Sequence, residues 1–321
     1  MEIGRLPSVI RVGAHYPRLL SKLGVSLVHM PTYILPPRIK CASVVTVLDV
    51  SYILHPKLVE PRVRWMLRAL VGPSIRAATR VITISEASHR DIVTLYGVDP
   101  DKVVVTPLAA AKQFRPVSDD EVARVRSKYR LGAIYVLSVG NILPRKNIGR
   151  LVEAFSMIAA SIENVQLVIV GRSAWKGSEV EHRVRQLDLT GRVRFLGYVP
   201  DEDLPALYSG AQVFCFPSIH EGFGLPVLEA MACGTPTIAS DASSLPEVVG
   251  DAGLLFPPES VTEMAATLRL VLLDPELRLT LASKGARRAA SFSWDLTAQR
   301  TEDVYSDALR STNVRPRLSR S

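Results

Sequence analysis

Short apolar, β-branched runs that break at Gly, Pro or Ser and then give way to helical periodicity recur along this chain, the pattern of parallel βα units. From about residue 118 they come regularly: 134–139 ending at Gly140, 165–170 at Gly171, 193–196 at Gly197, 213–216 at Pro217, 237–239 at Ser240 and 254–256 at Pro257. Between them the 3.6-residue period predicts helices over Asn147–Ala160, Ser178–Leu187, Asp203–Ser209 and Pro226–Cys233. Six such strands make a complete doubly wound sheet. The first third gives four, at Leu27–His29, Val44–Leu48, Val81–Ile84 and Val103–Val105, with helices over Pro61–Val71 and Glu86–Tyr96. That is a partial sheet of the same kind. Phe114–Asp120 lacks periodicity and reads as a linker, with Ser118 capping the helix that follows. The expected organisation is a short α/β domain over 1–117, a complete one over 118–293, a helix over 294–310 crossing back to the first, and a basic tail over 311–321.

The 321 residues are 47% hydrophobic and 22% charged, enough apolar material for packed cores and no case for general disorder. The formal charge of +8 favours an anionic partner: a phosphorylated ligand, an acidic membrane or nucleic acid. Aromatics are only 6%, and no Lys/Arg run is interleaved with them into a stacking platform, so nucleic acid is the weaker partner. Cys41, Cys215 and Cys233 stand far apart among apolar residues and read as buried free thiols of a reducing compartment. No apolar run approaches the ~18 residues of a membrane span, and Met1–Arg5 has neither a basic leader nor a long apolar stretch. These features predict a cytoplasmic chain.

In such sheets ligands bind outside the carboxyl ends of the strands, so the chemistry is sought in strand-end loops. The richest is Pro217–Gly234. It leaves a strand, turns through Gly222 and Gly224, and enters a helix with Pro226 at or near its first position. Loop amides and a helix N-terminus together suit a diphosphate. Glu221 precedes the glycines and Glu229 follows one turn into the helix, so each carboxylate can accept two hydrogen bonds from a sugar diol, one from a ribose and the other from a hexose. A tight turn with a capping carboxylate is the plainer alternative. The second loop, Gly140–Asn147, carries Arg145 and Lys146, a fork and a point charge fit for two phosphates, or simply two solvated cations.

Two further segments have plainer readings. Asp201-Glu202-Asp203 has the look of an Asp-x-Asp metal motif, yet after Pro200 it reads as acids at a helix N-terminus. The six histidines include no pair at metal-ligand spacing, so no metal is expected. Arg62–Val71 is a basic amphipathic stretch. It reads as a core-packing helix with a solvated basic face, or as one lying on an anionic membrane.

Taken in order, these residues resemble family 4 of the retaining glycosyltransferases, which have the GT-B architecture of two Rossmann-like sheets. The resemblance runs from about Leu27 to Asp307 and rests on Glu221-x7-Glu229, Pro144-Arg145-Lys146-Asn147, Gly197-Tyr198-Val199-Pro200 and Ala242–Val248. Asp49–Tyr52, Ile84–Ser88 and Tyr96–Lys102 also fit. The resemblance implies that Lys146 and Arg145 contact a donor diphosphate and that Glu229 holds the ribose. Glu221 would hold the donor sugar with the amides of Gly222, Phe223, Gly224 and Leu225. The base would lie near Arg172, Tyr198 and Val199, and Ser85 would stand where the family has a serine at a strand end. Asn141 occupies a place where many members have Arg, which leaves more phosphate work to Arg145. Leu48 stands where a His usually contacts the reacting sugar, and residues 1–26 do not supply the strand, glycine-rich loop and helix with which members begin.

The implied activity is transfer of a hexose, mannose being hinted at by the Pro-Arg-Lys-Asn variant, from a nucleoside-diphosphate sugar to a saccharide or lipid-linked acceptor. Anomeric configuration would be retained and no metal used, at the inner face of a membrane if the chain is peripheral. A nucleotide-sugar-binding relic or regulatory subunit and a GT-B sugar-nucleotide epimerase are the alternatives.

Overall fold

The computed structural model describes residues 16–173 and 177–312. Its strands form two sheets, every pairing parallel. The first holds β1 (Leu27–Met30), β2 (Ala42–Thr46), β3 (Arg80–Thr83) and β4 (Val103–Val105), in that spatial order. The second holds β5 (Tyr135–Val139), β6 (Gln166–Val170), β7 (Val193–Gly197), β8 (Val213–Phe216), β9 (Thr237–Ser240) and β10 (Leu254–Phe256), ordered β10-β9-β8-β5-β6-β7. The α/β class and all ten strands agree with the hydrophobic pattern to within two residues at either end. Strands buried on both faces have to be apolar throughout, which is why they stand out in the sequence.

Contacts divide the chain into two units, residues 1–107 with 295–321, and residues 108–294. The break falls ten residues before the expected boundary between 117 and 118. Phe114 is too large an apolar side chain to leave in water: it is buried against Tyr208, ring centroids 5.9 Å apart, and the Val117 N–H reaches the Ser209 hydroxyl at 3.4 Å. The linker's sequence looks irregular because single residues, not a repeating face, fasten it. Ser118 caps the Asp119–Tyr129 helix in a reciprocal capping box with Glu121.

In the second unit the Ile148–Ala159 helix buries Ile148, Leu151, Val152, Phe155, Ile158 and Ala159, an i, i+3, i+4, i+7 stripe, against Leu167, Ile169 and Val213 of the sheet. Met264, Leu268 and Val271 of the Val261–Leu273 helix complete this core. In the first unit Val45, Val47 and Val81 pack with Val71, Ile75 and Ile92.

The Pro61–Ala77 helix runs six residues past its expected end at Val71 and continues through Pro73. The proline removes a backbone bond on an exposed face, where water can serve the carbonyl, while Val71 and Ile75 stay buried on the other side. The Trp294–Ser311 helix joins the first unit from Asp295 onward: Val304 and Ala308 pack with Ala42, Val44 and Ile82, and Tyr305 donates to or accepts from His29 at 2.7 Å. The basic tail lies, from residue 313 on, outside the described residues. Cys215 and Cys233 are buried free thiols; Cys41, on the approach to β2, is only half-buried. Among the described residues no helix is long and apolar enough to cross a membrane.

Candidate active site

The second sheet starts in its middle. From β5 the chain adds β6 and β7 on one side, then crosses back to place β8 on the other. The loops after β5 and β8 therefore diverge from adjacent strand ends and leave a crevice at that reversal. Both loops singled out in the sequence lie there.

After β5, Pro144–Lys146 forms a 3-10 turn that stops at Asn147, held at φ 59°. The Asn147 amide is buried and donates to Pro217 O at 3.0 Å, where the loop after β8 begins, and to Pro258 O at 2.7 Å, beyond β10. The Ile219 N–H donates to Arg145 O at 2.8 Å. These bonds clip the two loops together and bring three charges to one point. Arg145 Nη1 lies 2.7 Å and Lys146 Nζ 2.8 Å from the same Glu221 Oε1. Lys146 Nζ also sits 4.5 Å from the centre of the Phe216 ring.

Lys146 is 8% and Glu221 9% exposed while Arg145 is half-buried, so a buried ion pair carries a second cation at its edge. Burial by itself raises the Glu221 carboxyl, but Lys146 and Arg145 outweigh it and hold the group below its ordinary value. Burial lowers the Lys146 ammonium against the pull of Glu221.

The Glu221 backbone is fixed from behind by the Ala242–Val248 segment. Its N–H donates to Ser243 Oγ at 2.8 Å, and the Ser244 hydroxyl reaches the carbonyls of Glu221 at 2.9 Å and Phe223 at 2.6 Å. Gly224 has φ 121°, and a Cβ there would come 2.7 Å from Leu245 Cδ2, so only glycine fits between the loop and this buttress. Phe223 packs edge-on against Phe292, centroids 5.8 Å apart. The helix begins at Leu225, with Pro226 one residue in.

Glu229 lies in that helix and accepts a hydrogen bond from Tyr208 Oη at 2.9 Å. Burial raises its carboxyl and Asp201 adds to the rise. Arg172 lies with its guanidinium 5.2 Å from the centre of the Tyr198 ring, and its backbone N–H donates to Asn141 Oδ1 at 3.1 Å. Val199 beside them is buried. Asn141, Arg172 and Tyr198 thus form a second group at the ends of β5, β6 and β7.

Ser85 belongs to the first unit, and its hydroxyl accepts from the Ser88 N–H at 3.0 Å as the N-cap of the Glu86–Tyr96 helix. Asp49 likewise accepts from the Ser51 N–H at 2.8 Å, and Leu48 lends its carbonyl to the Ser88 hydroxyl at 3.0 Å. Asp203 stands at the first turn of the Leu204–Ser209 helix but does not cap it. Its carboxylate is fully buried and accepts from Lys128 Nζ at 2.5 Å, Tyr129 Oη at 2.8 Å and Arg124 Nη2 at 3.1 Å. Among the described residues no three His, Cys, Asp or Glu come together as a metal site would need.

Sequence reasoning left Tyr208, Ser243, Ser244 and Phe292 unassigned. Only the serines carried a signal, as part of the Ala242–Val248 motif. Tyr208 meets Glu229 across 21 residues, a separation no local pattern reports.

The protein family described as "Glycosyl transferases group 1" matches residues 119–288. Among curated proteins the chain is 38% identical over 283 residues to the O-antigen chain mannosyltransferase B of Escherichia coli, covering 86% of this chain and 73% of that one. It is 31% identical over 241 residues to the serotype-specific mannosyltransferase WbdA of Escherichia coli, covering 73% of this chain and 29% of that one. Among solved structures, the sucrose-phosphate synthase of Thermosynechococcus elongatus superposes with a TM-score of 0.78 at 27% identity, over 92% of this chain and 77% of its own.

Proposed function

We propose that this chain, which belongs to the glycosyl transferases group 1 family and is a glycosyltransferase, moves mannose from a nucleoside-diphosphate sugar, GDP-mannose in the first instance, to a saccharide or lipid-linked acceptor. The observation that carries the reading is the convergence of Arg145, Lys146 and Glu221 at the reversal of the second sheet. The two mannosyltransferase relatives support the choice of sugar.

Departure of a nucleoside diphosphate builds negative charge on the leaving phosphate. Lys146, Arg145 and the amides of Gly222, Phe223, Gly224 and Leu225 would meet it without a metal ion, each donor to developing charge being worth up to ~3–4 kcal/mol in a dry site. Glu229 would hold the ribose and, with one oxygen engaged by Tyr208, present the other to a hydroxyl. The pair of Arg172 and Tyr198, with Val199, would take the base. Glu221 would accept from the sugar's hydroxyls.

Retention is assigned to a front-face route in which the leaving phosphate helps to deprotonate the acceptor. Incubation with a panel of GDP- and UDP-hexoses, with release of the nucleotide and the anomeric configuration of the product followed by NMR, tests the reading. Turnover of GDP-mannose with retention is expected. An inverted product, or a trapped covalent glycosyl-enzyme, overturns this route.

Peripheral contact with an anionic membrane is proposed through the Pro61–Ala77 helix, whose Trp65 and Met66 are exposed beside Arg62 and Arg68 with no acid among its residues. Co-sedimentation with phosphatidylglycerol vesicles but not with phosphatidylcholine vesicles is the expected result. Equal partition to both removes the electrostatic part.

A further inference from the structure

We propose that Glu221 is a built-in counter-anion that makes the site favour a diphosphate carrying a sugar over a bare diphosphate, an inference that rests on the donor-binding reading above. Both cations expected to receive phosphate oxygens already converge on one oxygen of Glu221, at 2.7 and 2.8 Å. An incoming diphosphate must therefore compete with an internal carboxylate for the same two donors.

The competition has a cost that depends on what the diphosphate brings with it. Glu221 is 9% exposed, and its backbone is held by Ser243 and Ser244, so it cannot follow the departing charges out to water. A buried carboxylate stripped of its cations is strongly unfavourable unless other donors replace them. A sugar attached to the diphosphate supplies such donors, because its hydroxyls can turn toward the freed oxygens. A bare nucleoside diphosphate carries no donor where that sugar would sit.

The carboxylate thus penalises the product of the reaction and spares the donor. Discrimination by leaving the wrong ligand's partner unsatisfied needs no contact with the wrong ligand at all. The same balance favours turnover: once the hexose has left, Glu221 loses its replacement donors, re-forms its bonds to Lys146 and Arg145, and displaces the spent diphosphate.

The test uses calorimetry of the full chain and its Glu221→Gln and Glu221→Asp variants with inorganic pyrophosphate, GDP, UDP and GDP-mannose. Gln keeps the shape and drops the charge, so pyrophosphate should bind roughly tenfold or more tightly than to the wild type. Asp, one methylene shorter, should fall between. Affinity for GDP-mannose should not rise in step, so the preference for donor over GDP narrows in both variants. A Gln variant that binds pyrophosphate no more tightly than the wild type overturns the counter-anion. Should that variant fail to melt cooperatively, the Asp variant decides by the same comparison. A wild type that turns over no nucleotide sugar overturns the functional reading instead, and the pyrophosphate comparison stands apart from that outcome.

Discussion

The two sheets are built alike and end differently. Both are parallel, and both place polar side chains at the carboxyl ends of the strands, but in the first unit those side chains serve backbone groups. Ser85 caps its own helix, Asp49 accepts from Ser51, and the Ser88 hydroxyl closes on Leu48. In the second unit Arg145 and Lys146 reach across about 75 residues to Glu221. The strand order explains the contrast. The described strands of the first sheet run β1-β2-β3-β4 without a reversal, whereas the second reverses between β5 and β8 and opens a crevice there. Hydrogen bonds from side chain to backbone of this kind stabilise a fold. Cations held side by side and partly out of water do not, and such clusters gather where ligands bind.

The contrast can be broken most severely at Lys146. Lys146→Ala should lower turnover of the nucleotide sugar by roughly a hundred- to a thousandfold, as loss of one donor to developing charge does elsewhere. Steady-state kinetics checks it, and turnover near that of the wild type would reduce the cluster to a structural ion pair. Next comes Glu229→Ala, which should weaken nucleotide binding by about 1–3 kcal/mol, the loss expected when a buried hydrogen-bonded pair is removed. Calorimetry with GDP and UDP reads this, and an unchanged affinity removes Glu229 from the site.

A smaller effect appears in acid. The Glu221 carboxyl is held below its ordinary value in the folded chain, so its contribution is complete above the unfolded carboxylate pKa and is lost as pH falls through the lower folded one. The melting temperature of the wild type should therefore fall more steeply than that of Glu221→Gln as the pH drops below the usual carboxylate range. Parallel curves would mean that the pair contributes nothing net. Smallest is Ser85→Ala, expected to cost about 1 kcal/mol of stability as an N-cap loss and to leave nucleotide affinity in place. A fall in affinity would give Ser85 a part in nucleotide binding besides its cap.

What the sequence disclosed follows the same division. The strands were legible because burial on both faces forces continuous apolar runs, and the two site loops because Gly, Pro and charge coincide where such runs stop. Helix ends were less so. Gly72-Pro73 reads as a stop, yet the helix passes through, its glycine accommodating the Tyr96 ring, which a Cβ would approach to 3.0 Å. Contacts made by single side chains at long range left no trace. Phe114 on Tyr208 moved the boundary between units, Asp203 turned a metal-like triplet into an anchor for Lys128, Tyr129 and Arg124, and Tyr208 on Glu229 was invisible. Local pattern reports periodic faces. It is silent where one residue meets one other.

The Trp294–Ser311 helix completes the first unit. Ala42, Val44 and Ile82 share a core with Val304 and Ala308, while residues 108–294 form an uninterrupted unit between them. On a ribosome the order of completion is thus the reverse of the order of appearance. The second unit has its whole sequence available while the Trp294–Ser311 helix is still being made, and the first unit must wait with part of its apolar face uncovered until that helix emerges.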